Sequence, residues 1–485
     1  MTEGSTGRSL ALATAGIVAL ALALRLWEAS RSELWFDEIY TLWVARLDWP
    51  SLLRTVAHDV HPPLHFAIVK LWRALGGEAS LWIKTSSVLP GVVLVGAMVW
   101  LGRAMFGTRA GLIAALLLAL HGTHVMVSQE ARSFAWLALW VWLAAGFAFR
   151  WIRDARAADA VGLLASEALG LWTHYLSGLV FVCLFVWGAL ALGRQRVRLA
   201  HWIGLHLAVT ALFAPQLHTF VTQTRRDTGA HWIHNASWSS LFSLARHTAF
   251  ASTALLAPFA ALVAVPMMRA RERAAAVMIV GLTVPVVAIG FAIGRMGGHI
   301  YTERYMYWII PGFVLMAAAG IAGLRTRWLA WALVLVFAIQ GMRVVTGPPP
   351  AEPTHLGEAQ RWLASHMAPG DAIVCADTHS LFYLRQHATT LPPASLFWPG
   401  AAPPYYEGTE MIPAAWIHGD GLLDSLAAAR VPWWAVRTVH GGVDSGPAAG
   451  LILRAGGRVV LSRGATTVYE GRPPATEGDQ RGRFP

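Results

Sequence analysis

Long apolar runs that alternate with short arginine clusters dominate this 485-residue sequence. A bilayer core needs about 20 consecutive apolar residues for each spanning helix. Eleven runs approach this length, although the fifth is short. They lie near 10–27, 82–101, 110–127, 133–150, 160–172, 176–192, 201–220, 241–266, 274–293, 306–323 and 328–345. The pattern predicts a polytopic all-α membrane bundle of about 11 transmembrane helices.

The composition agrees with a membrane protein and excludes two other classes. Hydrophobic residues make up 56% of the chain and charged residues only 13%, whereas soluble domains carry about 25% charge. A soluble enzyme and a disordered chain are therefore excluded. The net charge of +11 does not indicate a nucleic-acid partner, because much of the arginine stands between apolar runs, where membrane topology explains it. We expect membrane lipids as partners and no nucleic acid.

The arginine clusters also predict the orientation of the chain. They follow every second apolar run, so all of these connections lie on one side, which the positive-inside rule makes cytoplasmic. The clusters lie at 103–109, 150–156, 194–198, 269–273 and 325–327. We therefore expect a plasma (inner) membrane protein with a cytoplasmic N-terminus. A cleaved signal peptide over Leu10–Leu24 is an alternative, but an uncleaved first span is favoured.

The composition changes after the last apolar run. Gly347-Pro348-Pro349-Pro350 reads as a linker. Beyond it the pattern predicts a helix over His355–Met367, followed by strands at Asp371–Ala376, Val431–Val436 and Arg458–Ser462. We predict a membrane domain over 1–346, a small extracytoplasmic α/β domain over 347–472 and a disordered tail over 473–485.

The first outer loop, 28–81, carries two polar motifs. Asp37-Glu38 follows the first span almost at once, and carboxylates so close to a membrane are costly. They are either solvated beside interfacial aromatic anchors, or they accept a proton or bind a metal in a cleft. The second motif runs from His58 to His65, where two prolines fix the backbone after His61. It is either a loop-to-helix transition or a held functional group, although its spacing is no standard zinc signature.

Three further polar motifs lie at outward-facing helix ends. Glu130-Ala131-Arg132 is either a local ion pair with a snorkelling arginine, or a phosphate-binding arginine beside an acid. Thr173-His174-Tyr175 and the segment Tyr301–Tyr305, which contains Arg304, combine polar and aromatic side chains. Each of these two alone is typical of an interfacial aromatic belt.

Taken together, these motifs resemble the glycosyltransferase-C superfamily, in the glycosyltransferase 39 branch of protein O-mannosyltransferases and aminoarabinose transferases. The resemblance covers about residues 10–345 and rests on the order and outward placement of five motifs. These are Asp37-Glu38, His61-Pro62-Pro63-Leu64, Glu130-Ala131-Arg132, Thr173-His174-Tyr175 and Arg304-Tyr305. It implies an integral-membrane glycosyltransferase that moves a sugar from a polyprenyl-phosphate donor to a glycan, lipid or protein acceptor, with inversion. A flippase of lipid-linked sugars is the alternative, which predicts charges at mid-membrane and discontinuous helices.

The resemblance also implies roles for single residues. Asp37 corresponds to the family's general base, and Glu38 would bind acceptor or metal, or orient Asp37. His61 matches a position that contacts metal or carrier phosphate in relatives. The phosphate-side cations would be Arg132, His174 and Arg304, while Tyr175 and Tyr305 would wall the sugar or donate hydrogen bonds.

The sequence departs from the family pattern at two places, and the resemblance implies one cofactor. Lys84 stands near a position where many relatives carry arginine, and lysine keeps the charge but loses the fork of donors. His61-Pro62-Pro63 replaces the charged triplet of aminoarabinose transferases, so that substrate is not favoured. A divalent metal ion, Mg²⁺ or Mn²⁺, would use Asp37, His61 and Glu130.

Overall fold

The computed structural model describes residues 3–225, 235–298, 301–347, 354–399, 411–439 and 448–471. The chain forms two compact units. The membrane unit comprises residues 1–33 and 45–347, and the C-terminal unit comprises residues 34–44 and 348–485. The segment with Asp37 and Glu38 therefore belongs to the C-terminal unit. The predicted tail over 473–485 lies outside the described residues.

The helices that precede the C-terminal sheet alternate between long apolar elements and short amphipathic ones. In chain order they are α1 (Glu3–Ala29), α2 (Phe36–Arg46), α3 (Trp49–His58), α4 (Leu64–Gly76), α5 (Ser80–Met105), α6 (Thr108–Ala119), α7 (Gly122–Gln129), α8 (Phe134–Asp154), α9 (Ala157–Thr173), α10 (Leu176–Leu192), α11 (Arg196–Arg225), α12 (Trp238–Thr248), α13 (Leu256–Met268), α14 (Arg273–Arg295), α15 (Glu303–Met306), α16 (Ile310–Ala322) and α17 (Arg327–Thr346). Except for α2, all lie in the membrane unit.

Seven helical stretches in the described part of the chain are long and apolar enough to cross a membrane. They are α1, α5, α8, α11, α14, the combined stretch Glu303–Ala322 and α17. The count becomes eight if α6 and α7 together form one bent span. Helices α10 and α13 are apolar but shorter. The multi-span helical architecture is thus confirmed, whereas the count of 11 is not.

Two of the predicted spans are interrupted in the structure. The run at 110–127 forms α6 and α7, which meet at 64°. The run at 241–266 forms α12 and α13, with Phe250 and Ala251 at positive φ between them. A hydropathy pattern does not reveal these interruptions, because apolar side chains continue through both of them.

A buried arginine stabilises the first of these interruptions, between α6 and α7. Arg25 on α1 has no exposed surface, and its guanidinium donates hydrogen bonds to the carbonyl oxygens of Leu118 and Ala119 at 3.4 and 3.3 Å. These carbonyls lie at the C-terminal end of α6, where a helix leaves acceptors unpaired and carries partial negative charge.

The C-terminal unit contains a six-stranded mixed sheet in the order β3-β2-β1-β4-β6-β5. The strands are β1 (Ala372–Cys375), β2 (Ser395–Phe397), β3 (Ile417–His418), β4 (Trp433–Thr438), β5 (Arg458–Arg463) and β6 (Thr466–Gly471). The first four run parallel, and β6 is antiparallel to both β4 and β5. The helices are α18 (Leu356–His366), α19 (Thr378–His387), α20 (Leu422–Ala428) and α21 (Ala449–Arg454). The predicted α/β character, the helix and all three strands are confirmed, while β2, β3 and β6 were not predicted.

Candidate active site

Helix α2 carries the two carboxylates of the first outer loop. The side chain of Glu38 is buried, and its Oε2 atom accepts a hydrogen bond from the backbone N–H of Trp35 at 3.1 Å. This contact satisfies a donor that the start of a helix leaves unpaired. Asp37 is half-buried in the same first turn, where the helix dipole favours a carboxylate. Glu38 thus fixes the turn that presents Asp37, in keeping with the orienting role among those implied for it.

In the membrane unit, α3 is followed by a partly buried acid–imidazole pair. The Oδ2 atom of Asp59 lies 3.6 Å from the Nδ1 atom of His61, and the Asp59 Oδ1 atom accepts the N–H of Val60 at 2.7 Å. Burial alone would raise the pKa of Asp59, but the neighbouring His61 and the charge of Arg132 outweigh it, and the pKa lies below its ordinary value. Asp59 is therefore an anion that offsets nearby positive charge.

The imidazole of His174 lies beside that pair. Its ring makes an edge contact with the His61 ring, with centroids 5.5 Å apart. The Nδ1 atom accepts the backbone N–H of Leu176 at 3.1 Å, which leaves the ring proton on Nε2. Burial, followed by the charges of His61 and Arg132, lowers the pKa of His174 well below its ordinary value. His174 is therefore a neutral donor, not the cation that the motif suggested.

The Nε2–H group of His174 is buried without a hydrogen-bond partner among the described residues. A buried donor that lacks a partner costs free energy unless a ligand or water pairs it. The rings of Phe134 and Tyr305 lie 6.0 and 5.9 Å from the His174 ring and 5.6 Å from each other. This aromatic group and the unpaired donor together form a site suited to a ligand with acceptor oxygens.

An ion pair connects two of the predicted motifs. Arg304 donates a hydrogen bond from Nε to the Oε2 atom of Glu130 at 3.0 Å, and its Nη2 atom lies 2.7 Å from the same oxygen in an ion pair. The same guanidinium lies 4.9 Å from the centroid of Phe134. Glu130 thus pairs across the helical bundle with Arg304, which is a different partner from the Arg132 that a local ion pair would have used.

Arg132 provides the positive charge of this region. Its side chain is buried, and its carbonyl oxygen accepts a hydrogen bond from the Ser87 hydroxyl at 3.1 Å. Its charge acts on Asp59, His65 and His174. Burial, followed by the Arg132 charge, lowers the pKa of His65 to about 3, although its Nε2 atom is hydrogen-bonded to the carbonyl oxygen of Ala131. Arg132 is thus a cation in a buried region whose neighbouring His65 and His174 are neutral.

Two other predicted residues are engaged elsewhere in the membrane unit. The Lys84 ammonium donates to the carbonyl and hydroxyl oxygens of Ser32, at 2.8 and 2.5 Å. The Tyr175 hydroxyl donates to Gln223 at 2.6 Å and accepts from Gln216 at 3.0 Å. Its proton is therefore used inside the protein. The contact of Lys84 with Ser32 places its ammonium beside the segment after α1.

Two comparisons with known proteins bear on this arrangement. Residues 60–218 match the model of the dolichyl-phosphate-mannose-protein mannosyltransferase family. This segment contains every predicted membrane-unit residue except Arg304 and Tyr305. Among curated proteins, none matches the sequence of this chain.

Solved structures show which fold the chain adopts. ArnT from Cupriavidus metallidurans in the apo state is 15% identical, with a TM-score of 0.62, over 96% of this chain and 98% of that one. The same protein bound to undecaprenyl phosphate is 14% identical, with a TM-score of 0.61, over 94% and 97%. The archaeal oligosaccharyltransferase AglB from Archaeoglobus fulgidus, in complex with an inhibitory peptide and a dolichol-phosphate, is 13% identical, with a TM-score of 0.50, over 89% and 70%.

The chain has the glycosyltransferase-C fold. The fold implied by the five motifs is thereby confirmed.

Four polar residues of the membrane unit were assigned no role from the sequence. Asp59 and His65 flank the predicted His61 in sequence, and only the proximity of Asp59 to His61 and the burial of His65 distinguish them from ordinary loop residues. Gln216 and Gln223, which pair with Tyr175, could have been found, because amides seven residues apart on one helix lie on the same face and polar side chains in a membrane helix commonly have a partner.

A metal site is a poor match to the residues of this glycosyltransferase-C chain. In residues 3–225, 235–298, 301–347 and the described parts of the C-terminal unit, no group of three or more His, Cys, Asp or Glu side chains is placed to hold a metal ion. The carboxylate of Glu130, a predicted ligand, is bound by Arg304. We derive no catalytic step through a metal.

Proposed function

We propose that this chain is an integral-membrane inverting glycosyltransferase that moves a sugar from a polyprenyl-phosphate donor to an acceptor hydroxyl on the extracytoplasmic face. The observation that best supports it is the unpaired Nε2–H group of His174, which lies near the buried Arg132 and the partly buried His61. All three lie in the segment that matches the mannosyltransferase family. Solved structures of the same fold have been determined with undecaprenyl phosphate and dolichol-phosphate.

The reaction that we propose exchanges one bond at the anomeric carbon for another. The acceptor oxygen forms a bond to that carbon while the bond to the donor phosphate breaks, and the electron pair leaves with the phosphate. Asp37 takes the proton of the acceptor hydroxyl as general base, and Glu38 holds the helical turn that carries it. Because the acceptor attacks from the face opposite the phosphate, the anomeric configuration inverts.

On the phosphate side, we assign charge and hydrogen bonding to different residues. Arg132 supplies positive charge to the departing phosphate, in a buried setting that strengthens electrostatic interactions. The neutral His174 donates a hydrogen bond from Nε2 to a phosphate oxygen, beside His61. Arg304, which Glu130 fixes, adds charge at the rim, and Tyr305 walls the sugar.

Several finer points of the proposal come from the sequence. The arginine pattern supports a plasma-membrane location with a cytoplasmic N-terminus and an extracytoplasmic C-terminal domain. The acceptor is a glycan, a lipid or a protein. Dependence on Mg²⁺ or Mn²⁺ stays a prediction, which activity measured with and without a chelator would test.

The test uses the purified protein in lipid vesicles with radiolabelled polyprenyl-phosphate sugars and membrane extract as the source of acceptor. We expect label to pass from donor to acceptor with the wild type. Asp37→Asn should reduce this rate about 10²-fold or more, because an amide cannot take the proton. Asp48→Asn is the matched control, because Asp48 is the exposed N-cap of α3 and asparagine caps equally well.

Two outcomes would contradict the proposal. Full turnover by Asp37→Asn would remove Asp37 as the base. Intact donor that crosses the bilayer equally well in all three proteins, without cleavage of its sugar–phosphate bond, would support the flippase instead.

A further inference from the structure

The C-terminal unit holds the helix that carries Asp37 through a set of ring contacts. The Trp43 ring near the end of α2 stacks on Phe382 of α19, with centroids 4.3 Å apart and planes 20° apart. Phe36, the first residue of α2, stacks on His379, with centroids 3.9 Å apart and planes 22° apart. Phe382 has no exposed surface and Trp43 is 5% exposed, so α19 covers α2 near both of its ends.

Two hydrogen bonds give this contact a defined geometry. The Trp43 Nε1–H group donates to the Oε1 atom of Gln386 at 3.0 Å. The Nε2 atom of His387 donates to the carbonyl oxygen of Leu34 at 2.9 Å, just before α2 begins. Apolar packing alone would allow α2 to rotate or slide, whereas hydrogen bonds fix the atoms that they join.

The four α19 residues fall on one side of their helix. His379, Phe382 and Gln386 are spaced three and four residues apart, which places them on a single helix face, and His387 adjoins Gln386. A single face of the C-terminal domain therefore makes all of these contacts with α2 and the residue that leads into it.

Helix α2 needs this support. It has 11 residues, and isolated helices shorter than about 12–15 residues are marginal in water. Its position must therefore come from tertiary contacts. A displacement of about 1 Å at a reacting group can reduce a rate by about 10²-fold, so the contacts that hold α2 also determine where the Asp37 carboxylate lies.

We propose that α19 positions the catalytic base, and that Gln386, His387, His379 and Phe382 are positioning residues for Asp37. This inference rests on the proposed function in one respect, the assignment of Asp37 as general base. The C-terminal unit then has a part in catalysis, because it determines where the base that removes the proton lies.

The test compares Gln386→Leu with Gln386→Glu in the full-length protein in lipid. Leucine has a similar size but cannot accept the Trp43 N–H, whereas glutamate keeps an acceptor oxygen. We expect Gln386→Leu to raise the hydrogen-exchange rate of the 36–46 amides about tenfold or more, while β1 and β4 remain protected as in the wild type. We also expect kcat to fall about tenfold with the donor KM unchanged, and Gln386→Glu to restore both.

Two further variants separate this role from general destabilisation. Trp43→Phe removes the donor of the same hydrogen bond and should reproduce both effects, and the double variant with Gln386→Leu should be no worse than either single change. Gln195→Leu is the matched control, because Gln195 lies in an arginine-rich connection of the membrane unit, where its side chain accepts a hydrogen bond from Arg198. It should change neither exchange nor kcat.

The outcomes separate this inference from the proposed function. An unchanged hydrogen-exchange rate of the 36–46 amides in Gln386→Leu would show that α19 does not hold α2, whatever the activity. Faster exchange with an unchanged kcat would overturn the positioning role. If the wild type transfers no sugar, the proposed function fails while the exchange measurement still decides whether α19 holds α2.

Discussion

The Nη2 atom of Arg304 lies 2.7 Å from the Oε2 atom of Glu130, although 174 residues separate the two in sequence. The pair joins the residue that ends α7 to the short helix α15. It also holds the guanidinium of Arg304 over Phe134, whose ring belongs to the aromatic group around His174. A contact between two distant motifs therefore builds one wall of the candidate active site.

Glu130→Gln should weaken use of the lipid donor. The amide can still accept a hydrogen bond, but it loses the charge that fixes Arg304, and charge-assisted hydrogen bonds are about twice as strong as neutral ones. We expect the donor KM to rise about tenfold, with a smaller effect on kcat. Steady-state kinetics at varied donor concentration would check this.

The control for that experiment is Glu272→Gln. Glu272 forms an ion pair with Arg269 at 3.3 Å in the connection between α13 and α14, and exposed pairs contribute little. Its donor KM should equal that of the wild type. Equal donor KM values for Glu130→Gln and the wild type would show that the Arg304 pair has no part in donor binding.

His174→Phe should remove the donor of a hydrogen bond to phosphate. Phenylalanine keeps the ring packing against Phe134 and Tyr305 but has no N–H group, so we expect kcat/KM for the donor to fall about 10²-fold. His174→Gln, which offers an amide N–H, should retain more activity than His174→Phe. Competition by free polyprenyl phosphate provides the measurement, and equal inhibition constants for His174→Phe and the wild type would contradict the assignment.

His65 should make the protein sensitive to acid. Its pKa is lowered to about 3 in the folded protein, while an unfolded histidine titrates near 6.5. Below pH 6.5 the unfolded chain binds a proton that the folded chain does not, so stability falls as the pH drops toward 3, by up to about 1.4 kcal/mol per pH unit. Above pH 6.5 this residue contributes no pH dependence.

The measurement for His65 is the unfolding temperature between pH 7.5 and 5 for the wild type and His65→Gln. Glutamine can donate a hydrogen bond to the Ala131 carbonyl but does not titrate. The wild type should lose stability more steeply than the variant as the pH falls below 6.5. Parallel curves for the two proteins would rule out His65 as the source.

Much of this architecture follows from local patterns in the sequence. Apolar runs predicted most helix positions, and polar residues at one set of helix ends predicted where to look for the site. The pairing of Glu130 with Arg304 was not predictable, because Arg132 is a nearer candidate in sequence and only the folded bundle selects between them. The contact between α2 and α19 was not predictable for the same reason, because Trp43 and Gln386 are 343 residues apart. The sequence of an 11-residue amphipathic helix does not indicate which element packs against it.

The burial of Arg25 could not be predicted from hydropathy. A single arginine at the end of an apolar run reads as a snorkelling side chain, yet it is buried against Leu118, Ala119 and the Nδ1 atom of His124, which it contacts at 2.7 Å. Arg25→Met would leave these acceptors unpaired at a cost of about 1–3 kcal/mol each. At the 64° bend between α6 and α7, the carbonyl oxygens of Leu118 and Ala119 would lose the donor from Arg25. We expect the unfolding temperature to fall and transfer activity to drop with it, since α7 leads directly into Glu130.

Arg25→Lys keeps the charge but cannot span all three acceptors, so its stability should be intermediate. Arg343→Met, on the exposed surface of α17, is the control and should leave stability unchanged. Arg25→Met as stable as the wild type would show that the bend is set by the apolar packing around it.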